Sequence, residues 1–334
     1  MYRTEIGSEF WDVPLSADRN NLFVKEPAWF VSGRAALSSV IAEIKLRQSV
    51  RCAWLPSWCC DSMIYPFLQA SIDVRFYPVF VQNRSLCHEL PSALENDILF
   101  LMSYFGYEDG APEVPGFEAT IIRDVTHSVF SKSYRDADYS FGSLRKWCAF
   151  KTGGFAYGVS ATDAFDSRYY CTRERAMQEK SAYIAGKTES KSFLAVFAEA
   201  EEHLEECPVS CGAPEDISAA KKLDVAFIKS QRRKNAAVLL DALSEIAIFP
   251  KLKDEDCPLF VPILVKNSLR DDLRKYLIQN EIYCPVHWPI SAYHSLNLQT
   301  QTLYNDELSL VCDQRYSEED MLRTVKVIKK FFER

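Results

Sequence analysis

The chain has 334 residues, 48% of them hydrophobic, and a formal net charge of -7 at pH 7. A chain of this length can bury a large core and form two domains. Its negative charge argues against broad nucleic-acid binding, because phosphate backbones need a basic protein face. It contains no run of about 18 apolar residues and its first six residues lack the apolar core of a signal peptide, so we expect a cytoplasmic protein.

The cysteines and histidines do not indicate metal or disulfide chemistry. The 11 cysteines are dispersed, no Cys-x-x-Cys occurs, and only Cys59 and Cys60 are adjacent. The 5 histidines are also scattered, without the spacing of metal ligands. We therefore predict reduced, mostly buried thiols and no metal site.

The first strong helical pattern follows a Ser-Gly turn. Leu37, Val40, Ile41 and Ile44 recur at spacings of three and four directly after residues 32–34, Ser-Gly-Arg. A helix that begins in this way points several backbone N–H groups at one spot, which suits a phosphate. An ordinary N-cap explains these residues equally well when they are taken alone.

Short apolar strands alternate with helices between Phe23 and about Phe227. Residues 74–79, 97–102 and 120–123 are three of these strands, and the alternation predicts a largely parallel sheet with helices on both faces. The third strand ends at Asp124, and His127 follows three residues later. Ligands bind at strand ends in open α/β sheets, although Asp124 could instead cap a turn and His127 could be a core histidine.

The most informative segment is residues 140–147, Ser-Phe-Gly-Ser-Leu-Arg-Lys-Trp, followed by the pair Gly153 and Gly154. Many pyridoxal phosphate enzymes present their Schiff-base lysine on such a turn, which makes Lys146 the candidate. Asp124 could pair with the protonated ring nitrogen of that cofactor, and His127 could reach its ring oxygen. The alternative is a solvated surface loop in which the glycines merely turn the chain.

The C-terminal third predicts a smaller α+β domain. Strands over residues 258–265 and 309–312 and helices over 269–279 and 318–332 are expected to form it. An amphipathic helix over 193–204 precedes it, and a helix over 230–243 links the two parts of the chain. We place the large α/β domain at residues 1–228 and the small domain at residues 229–334.

Five motifs occur in the order found in one known family. They are Ser32-Gly33-Arg34-Ala35-Ala36-Leu37, Pro56-Ser57-Trp58-Cys59-Cys60, Tyr104-Phe105-Gly106, Asp124-Val-Thr-His127, and Lys146 with Gly153-Gly154. Residues 282–289 and 307–310 extend the similarity to the C-terminus. In this order of motifs the chain resembles the DegT/DnrJ/EryC1/StrS family of fold type I pyridoxal phosphate enzymes, best known as sugar aminotransferases.

The resemblance implies a role for each matching residue. Lys146 would form the internal aldimine with pyridoxal phosphate and shuttle a proton, Asp124 would hold the ring nitrogen, and His127 would lie near the ring oxygen. The remaining cofactor contacts would be Trp58 on the ring face, and Ser32, Gly33 and Arg34 with either Ser143 or Ser140 at the phosphate.

Two departures concern the phosphate and the partner subunit. The family commonly has its phosphate serine five residues before the lysine, where this chain has Phe141; of the flanking serines we choose Ser143. The family's Gly-x-Asn-x-Arg segment, by which a partner subunit reaches into the site, has no clear equivalent around residues 183–187. The resemblance still implies a homodimer.

The expected function is amine transfer from an amino acid such as glutamate to a keto-sugar nucleotide or a similar small carbonyl compound. His287 and Trp288, between two prolines, could close over the substrate or form a packed aromatic turn. Arg145 and Arg315 are candidate carboxylate clamps. The alternatives are a non-catalytic binding or regulatory protein on the same fold, and a pyridoxal phosphate enzyme of elimination or racemisation.

Overall fold

A computed structural model describes residues 5–23, 25–92, 95–113, 116, 118–131, 137–206 and 209–333. The strands are β1 (Ile6–Gly7), β2 (Ala28–Phe30), β3 (Cys52–Pro56), β4 (Asp73–Tyr77), β5 (Val79–Gln82), β6 (Ser85–His88), β7 (Asp97–Met102), β8 (Thr120–Asp124), β9 (Tyr139–Ser143), β10 (Gly154–Tyr157), β11 (Phe260–Leu264), β12 (Ile282–Tyr283) and β13 (Glu307–Val311). The helices are α1 (Gly33–Arg47), α2 (Asp61–Gln69), α3 (Ser167–Ile184), α4 (Phe193–Glu206), α5 (Pro214–Ala220), α6 (Val225–Leu243), α7 (Arg270–Gln279), α8 (Leu298–Asp306) and α9 (Glu318–Phe332).

A seven-stranded sheet forms the centre of the molecule, in the order β2-β10-β9-β8-β7-β3-β4. The ladders joining β4, β3, β7, β8 and β9 are parallel, whereas β10 runs antiparallel to β9 and β2. All six residues of β7 are buried, which is typical of a parallel strand covered by helices on both faces. The predicted α/β class with a mostly parallel sheet is confirmed.

A second apolar core lies in the C-terminal part of the chain. It joins buried residues of α6, α7 and α9 to the antiparallel pair β11 and β13. The N-terminal strand β1 also belongs to it, because Ile6 pairs with Ile282 in the parallel ladder β1–β12. The proposed boundary between residues 228 and 229 stays a prediction, and these two residues lie within α6.

Among the described residues, no helix is both long and apolar enough to cross a membrane. The ten described cysteines all carry free thiols, and six of them are buried.

Candidate active site

A cavity of about 650 Å³ opens where β8 and β9 end and α1 begins. The predicted site residues that line it are Ser32, Gly33, Arg34, Asp124, His127, Ser143, Arg145, Lys146, Trp288 and Arg315. Ser140, Trp58 and His287 are not part of its lining. The fold therefore brings ten of the thirteen predicted residues to one cavity, at the strand ends where open α/β sheets bind ligands.

The lysine turn is held beside the start of α1 by the paired glycines. Lys146 ends a short 3-10 turn that directly follows β9, and its side chain is exposed in the single chain. Gly153 has a φ of +128°, which disfavours any residue with a Cβ, and a Cβ on Gly154 would lie only 2.0 Å from the carbonyl oxygen of Ser32. The two glycines thus allow β10 to pass between the Ser32 turn and the Lys146 turn.

The first turn of α1 and the end of β9 form a small polar cup. Ser32 is the N-cap of α1, where its Oγ accepts a hydrogen bond from Ala35 N at 3.2 Å. A Cβ on Gly33 would approach the Ser143 Cβ to 3.3 Å, so this glycine keeps the cup open. A helix N-terminus supplies backbone donors and a positive dipole end, so the cup suits a phosphate.

Strand alternation separates the two candidate serines of β9. Phe141 and Ser143 lie on one face of the strand and both line the cavity, whereas Ser140 belongs to the opposite face. The geometry favours Ser143 over Ser140 as a phosphate ligand. At position 141, where the family that this chain resembles commonly has serine, the side chain that lines the cavity is the apolar ring of Phe141.

Asp124 is a buried carboxylate at the end of β8. It is 3% exposed, and its Oδ1 accepts a hydrogen bond from Thr126 N at 2.7 Å. Burial raises the pKa of Asp124 to about 6, although the Thr126 hydrogen bonds and the charge of Lys146 act in the opposite direction. A carboxylate that is desolvated to this extent would gain from a cation placed beside it.

His127 is buried against the rings of Phe105, His287 and Trp288. Its ring stacks on Trp288, with centroids 5.6 Å apart, and meets the His287 ring edge to face at 5.5 Å. Burial, reinforced by His287 and Lys146, holds the pKa of His127 well below its usual value, so the ring is neutral. Its Nδ1 accepts a hydrogen bond from Phe105 N at 3.4 Å. The ring proton is then on Nε2, from which it can be donated.

Trp58 is not placed to cover a ligand in the cavity. It is fully buried, stacks on Tyr104 at 4.9 Å, and donates from Nε1 to the His287 carbonyl oxygen at 2.6 Å. Two residues further along, Cys60 lines the cavity instead. Burial raises the pKa of its thiol, whereas Ser62 and the charge of Lys146 lower it. The ring-face role assigned to Trp58 is therefore not favoured by this geometry.

Arg145 and Arg315, the two arginines predicted to bind a substrate carboxylate, differ in whether their N–H donors already have partners within the chain. All five N–H groups of Arg315 bond within the chain, to Asp313 and to the carbonyl oxygens of Ser8 and Glu9. The guanidinium also lies 3.9 Å from the Phe10 ring centroid. Arg315 is thus a structural tie between the N-terminal segment and the C-terminal part. Arg145 bonds to Glu201 through Nη2 and has an unpartnered Nε.

The polar or reactive cavity-lining residues that sequence reasoning missed include Cys60, Thr126, Arg173 and Glu201. Thr126 and Cys60 stand within motifs that were recognised. Thr126 lies two residues after Asp124, so the alternation of side chains could have identified it, whereas Cys60 follows the end of β3 and no such rule applies to it. Arg173 and Glu201 come from α3 and α4, far along the chain. No local pattern distinguishes them from the other charged residues of these helices.

A buried polar chain lies behind the aromatic wall of the cavity. His287 Nδ1 lies 2.8 Å from Ser309 Oγ, which bonds to Glu307 Oε1 at 2.5 Å, while Glu307 Oε2 accepts from His287 N at 2.7 Å. Burial raises the pKa of Glu307 to about 8 and lowers that of His287 to about 3. His287 thus supports the ring wall made by His127 and Trp288, and it does not reach the cavity itself.

Replacing Glu307 with glutamine is expected to stabilise the protein above pH 8. Because folding raises the pKa of Glu307, the folded chain holds a proton that the unfolded chain has released, and stability is lost as the pH rises from about 4.5 to 8. At pH 8.5 the variant should gain on the order of 2 kcal/mol in free energy of unfolding, and at pH 4 almost nothing. Urea unfolding at both pH values measures this difference. Substitution of the exposed Glu319 by glutamine is the control, and an equal gain at both pH values would contradict the assignment.

Neither a family model nor a curated protein sequence matches the chain. Solved structures do match, and they show that the fold is the α/β fold of type I pyridoxal phosphate-dependent aminotransferases. PseC of Helicobacter pylori, an aminotransferase involved in the biosynthesis of pseudoaminic acid, has a TM-score of 0.66 at 16% identity, over 98% of this chain and 100% of its own.

Two further structures show the same fold. A DegT/DnrJ/EryC1/StrS aminotransferase from Brucella abortus has a TM-score of 0.58 at 15% identity, over 92% of this chain and 86% of its own. NtdA of Bacillus subtilis with bound cofactor PMP has a TM-score of 0.62 at 11% identity, over 93% of this chain and 74% of its own. At these identities the likeness concerns the fold.

Proposed function

We propose that the chain is a pyridoxal phosphate-dependent aminotransferase that moves an amine from an amino acid such as glutamate to a keto-sugar nucleotide or a similar small carbonyl compound. The observation that carries this proposal is the convergence of Lys146, Asp124, His127 and the cup at Ser32 and Ser143 on one cavity. The fold shared with solved aminotransferases supports it.

The residues present fit the cofactor. The cup at the start of α1 has the donors for a phosphate, and the glycine at position 33 leaves the room that a Cβ would take. Asp124 is a buried carboxylate suited to a protonated ring nitrogen, and His127 Nε2 has a proton to donate to a ring oxygen. Lys146 supplies an exposed amine on the same wall. Bound there, pyridoxal phosphate would supply an electron sink for the bonds of a substrate amine.

Each residue then has a defined task. Lys146 would hold the cofactor through its Nζ, and its free amine would move a proton at the substrate carbon that bears the amine. Asp124 would hold the ring nitrogen in its protonated form, because a desolvated carboxylate pairs strongly with a cation. His127 and Trp288 exclude water from one side of the cavity. We also propose a homodimer, in which a second copy would cover part of the exposed surface around Lys146.

Borohydride reduction in the presence of pyridoxal phosphate tests the proposal directly. We expect absorption above the protein band before reduction, and a phosphopyridoxyl group on Lys146 when the reduced protein is mapped by mass spectrometry. Folded protein without an adduct at Lys146 would overturn the proposal and favour a binding protein on this fold. Formation of 2-oxoglutarate from L-glutamate separates amine transfer from elimination or racemisation, because neither of those reactions yields the keto acid from glutamate in this way.

A further inference from the structure

Two arginines converge on one carboxylate in the wall of the cavity. Arg173 Nη1 lies 2.7 Å from Glu201 Oε1, and Arg145 Nη2 bonds to the same oxygen. The other end of the Arg173 guanidinium is 3.7 Å from Glu9 Oε2. Arg145, Arg173, Glu201 and Glu9 all line the cavity. The cluster therefore faces the same space as Lys146.

The two guanidinium groups have more donor capacity than their partners use. The Nε atoms of Arg145 and Arg173 are buried and have no hydrogen-bond partner. The Arg173 side chain is only 6% exposed, and burial, followed by the like charge of Arg145, lowers its pKa. A guanidinium has five donors arranged to hold an oxyanion at two points, so neighbouring arginines with orphaned donors favour a further anion.

Glu201 is the most exposed member of this cluster. Its side chain is 51% exposed, whereas those of Arg145 and Arg173 are 14% and 6% exposed. The rings of Tyr169 and Phe197 lie 5.8 Å and 5.0 Å from the Arg145 and Arg173 guanidinium groups, respectively, and help to fix them. The exposed side of Glu201 leaves it room to turn toward solvent, whereas the two arginines are buried in the wall.

We infer that Arg145 and Arg173 bind the anionic group of a substrate, a carboxylate or a phosphate, and that Glu201 occupies this position until the substrate displaces it. This inference rests on the proposed function, since it assigns the place where that reaction's acidic substrate is recognised. The carboxylate of Glu201 has the same charge and the same two oxygens as a substrate carboxylate, so it competes for the same donors. Arg145 directly precedes Lys146, which places the anion near the reacting amine.

Binding of two anionic probes to wild type and to Glu201→Gln tests the inference. The probes are 2-oxoglutarate for a carboxylate and pyrophosphate for a phosphate, and their affinities are measured by calorimetry. The protein is first loaded with pyridoxal phosphate, so that the polar cup at Ser32 and Ser143 is already occupied. Because Glu201→Gln removes the competing charge, at least one probe should bind about 5-fold more tightly. Lysine lacks the planar guanidinium that donates two parallel hydrogen bonds to an oxyanion, so Arg173→Lys should bind that probe roughly 10-fold more weakly.

The pair Glu199 and Arg175 supplies matched controls. It joins the same two helices through an exposed contact of 2.6 Å and lies outside the cavity lining. Glu199→Gln and Arg175→Lys should leave both affinities unchanged. Tighter binding of 2-oxoglutarate alone assigns the site to a carboxylate, and tighter binding of pyrophosphate alone assigns it to a phosphate.

Unchanged or weaker binding of both probes to Glu201→Gln would overturn the inference, as would unchanged binding to a folded Arg173→Lys variant. Loading of pyridoxal phosphate on Lys146 is measured separately. If loading fails, the proposed function fails, but the binding of 2-oxoglutarate and its dependence on Glu201 can still be measured on the same protein. If loading succeeds and Glu201 has no effect, only the inference fails.

Discussion

Replacing Lys146 with arginine is expected to lower the rate of amine transfer by at least about four orders of magnitude while the protein keeps its fold. Arginine retains the length and the charge, but its guanidinium is not deprotonated in proteins and cannot act as the nucleophile. Lys146 is exposed in the single chain, so the substitution should cost less than about 1 kcal/mol in free energy of unfolding. Formation of 2-oxoglutarate from L-glutamate and urea unfolding measure the two quantities.

Lys151 is the control for this variant. It stands five residues after Lys146, contacts Glu174 at 3.4 Å and lies 4.7 Å from the Tyr170 ring centroid, outside the cavity lining. Lys151→Arg should keep almost the full rate. Retention of activity within tenfold by a folded Lys146→Arg variant would exclude this lysine as the reactive amine.

The second large effect is expected for Asp124→Asn, with a loss of roughly 10² to 10⁴ in the rate of amine transfer. The amide can still accept the hydrogen bond from Thr126 N, but it has no charge to hold a ring nitrogen in its protonated form, so the ring is a weaker electron sink. Attachment of the cofactor to Lys146 should survive, because the lysine and the α1 cup are unchanged. Mass mapping after borohydride reduction checks that attachment beside the rate assay.

The same variant should be more stable than wild type in the absence of cofactor. Burial raises the pKa of Asp124 to about 6, so wild type loses stability as the pH rises through the interval between its ordinary pKa and 6. At pH 8 the asparagine variant should gain on the order of 1 to 3 kcal/mol. Asp73→Asn, an exposed site on β4, is the control. A rate loss accompanied by lower stability would indicate general misfolding and would contradict the assigned role.

The parts of the fold that depend on local periodicity could be predicted from the sequence. Residues 97–102 and 318–332 coincide with β7 and α9, because Asp97 is followed by five apolar residues and the second segment repeats its apolar residues at helical spacing. The helix predicted at 230–243 begins earlier, at Val225, where Asp224 caps it through Phe227 N. The pattern marks the apolar face of a helix more clearly than its first turn.

The site was predictable to the extent that its residues lie in local motifs. Lys146, Asp124 and Ser32 end or begin regular elements, and the parallel sheet brings such ends together. Trp58 and Cys60 are two residues apart, and local sequence does not say which of them faces the cavity. The pairing of Arg145 and Arg173 on Glu201 depends on the packing of α3 against α4, which no spacing within the chain encodes.

The ladder between β1 and β12 has a consequence for the order of folding. Ile6 pairs with Ile282, so most of the sequence lies between the two strands. The residues that follow these strands, Ser8 to Phe10 and Cys284 to Trp288, include several that line the cavity. Contacts of such long sequence separation close the largest loops and form late. We therefore expect amide protection in a pulsed hydrogen-exchange experiment to appear in β7 and β8 before β1 and β12, so that the central sheet becomes ordered while this wall is still open.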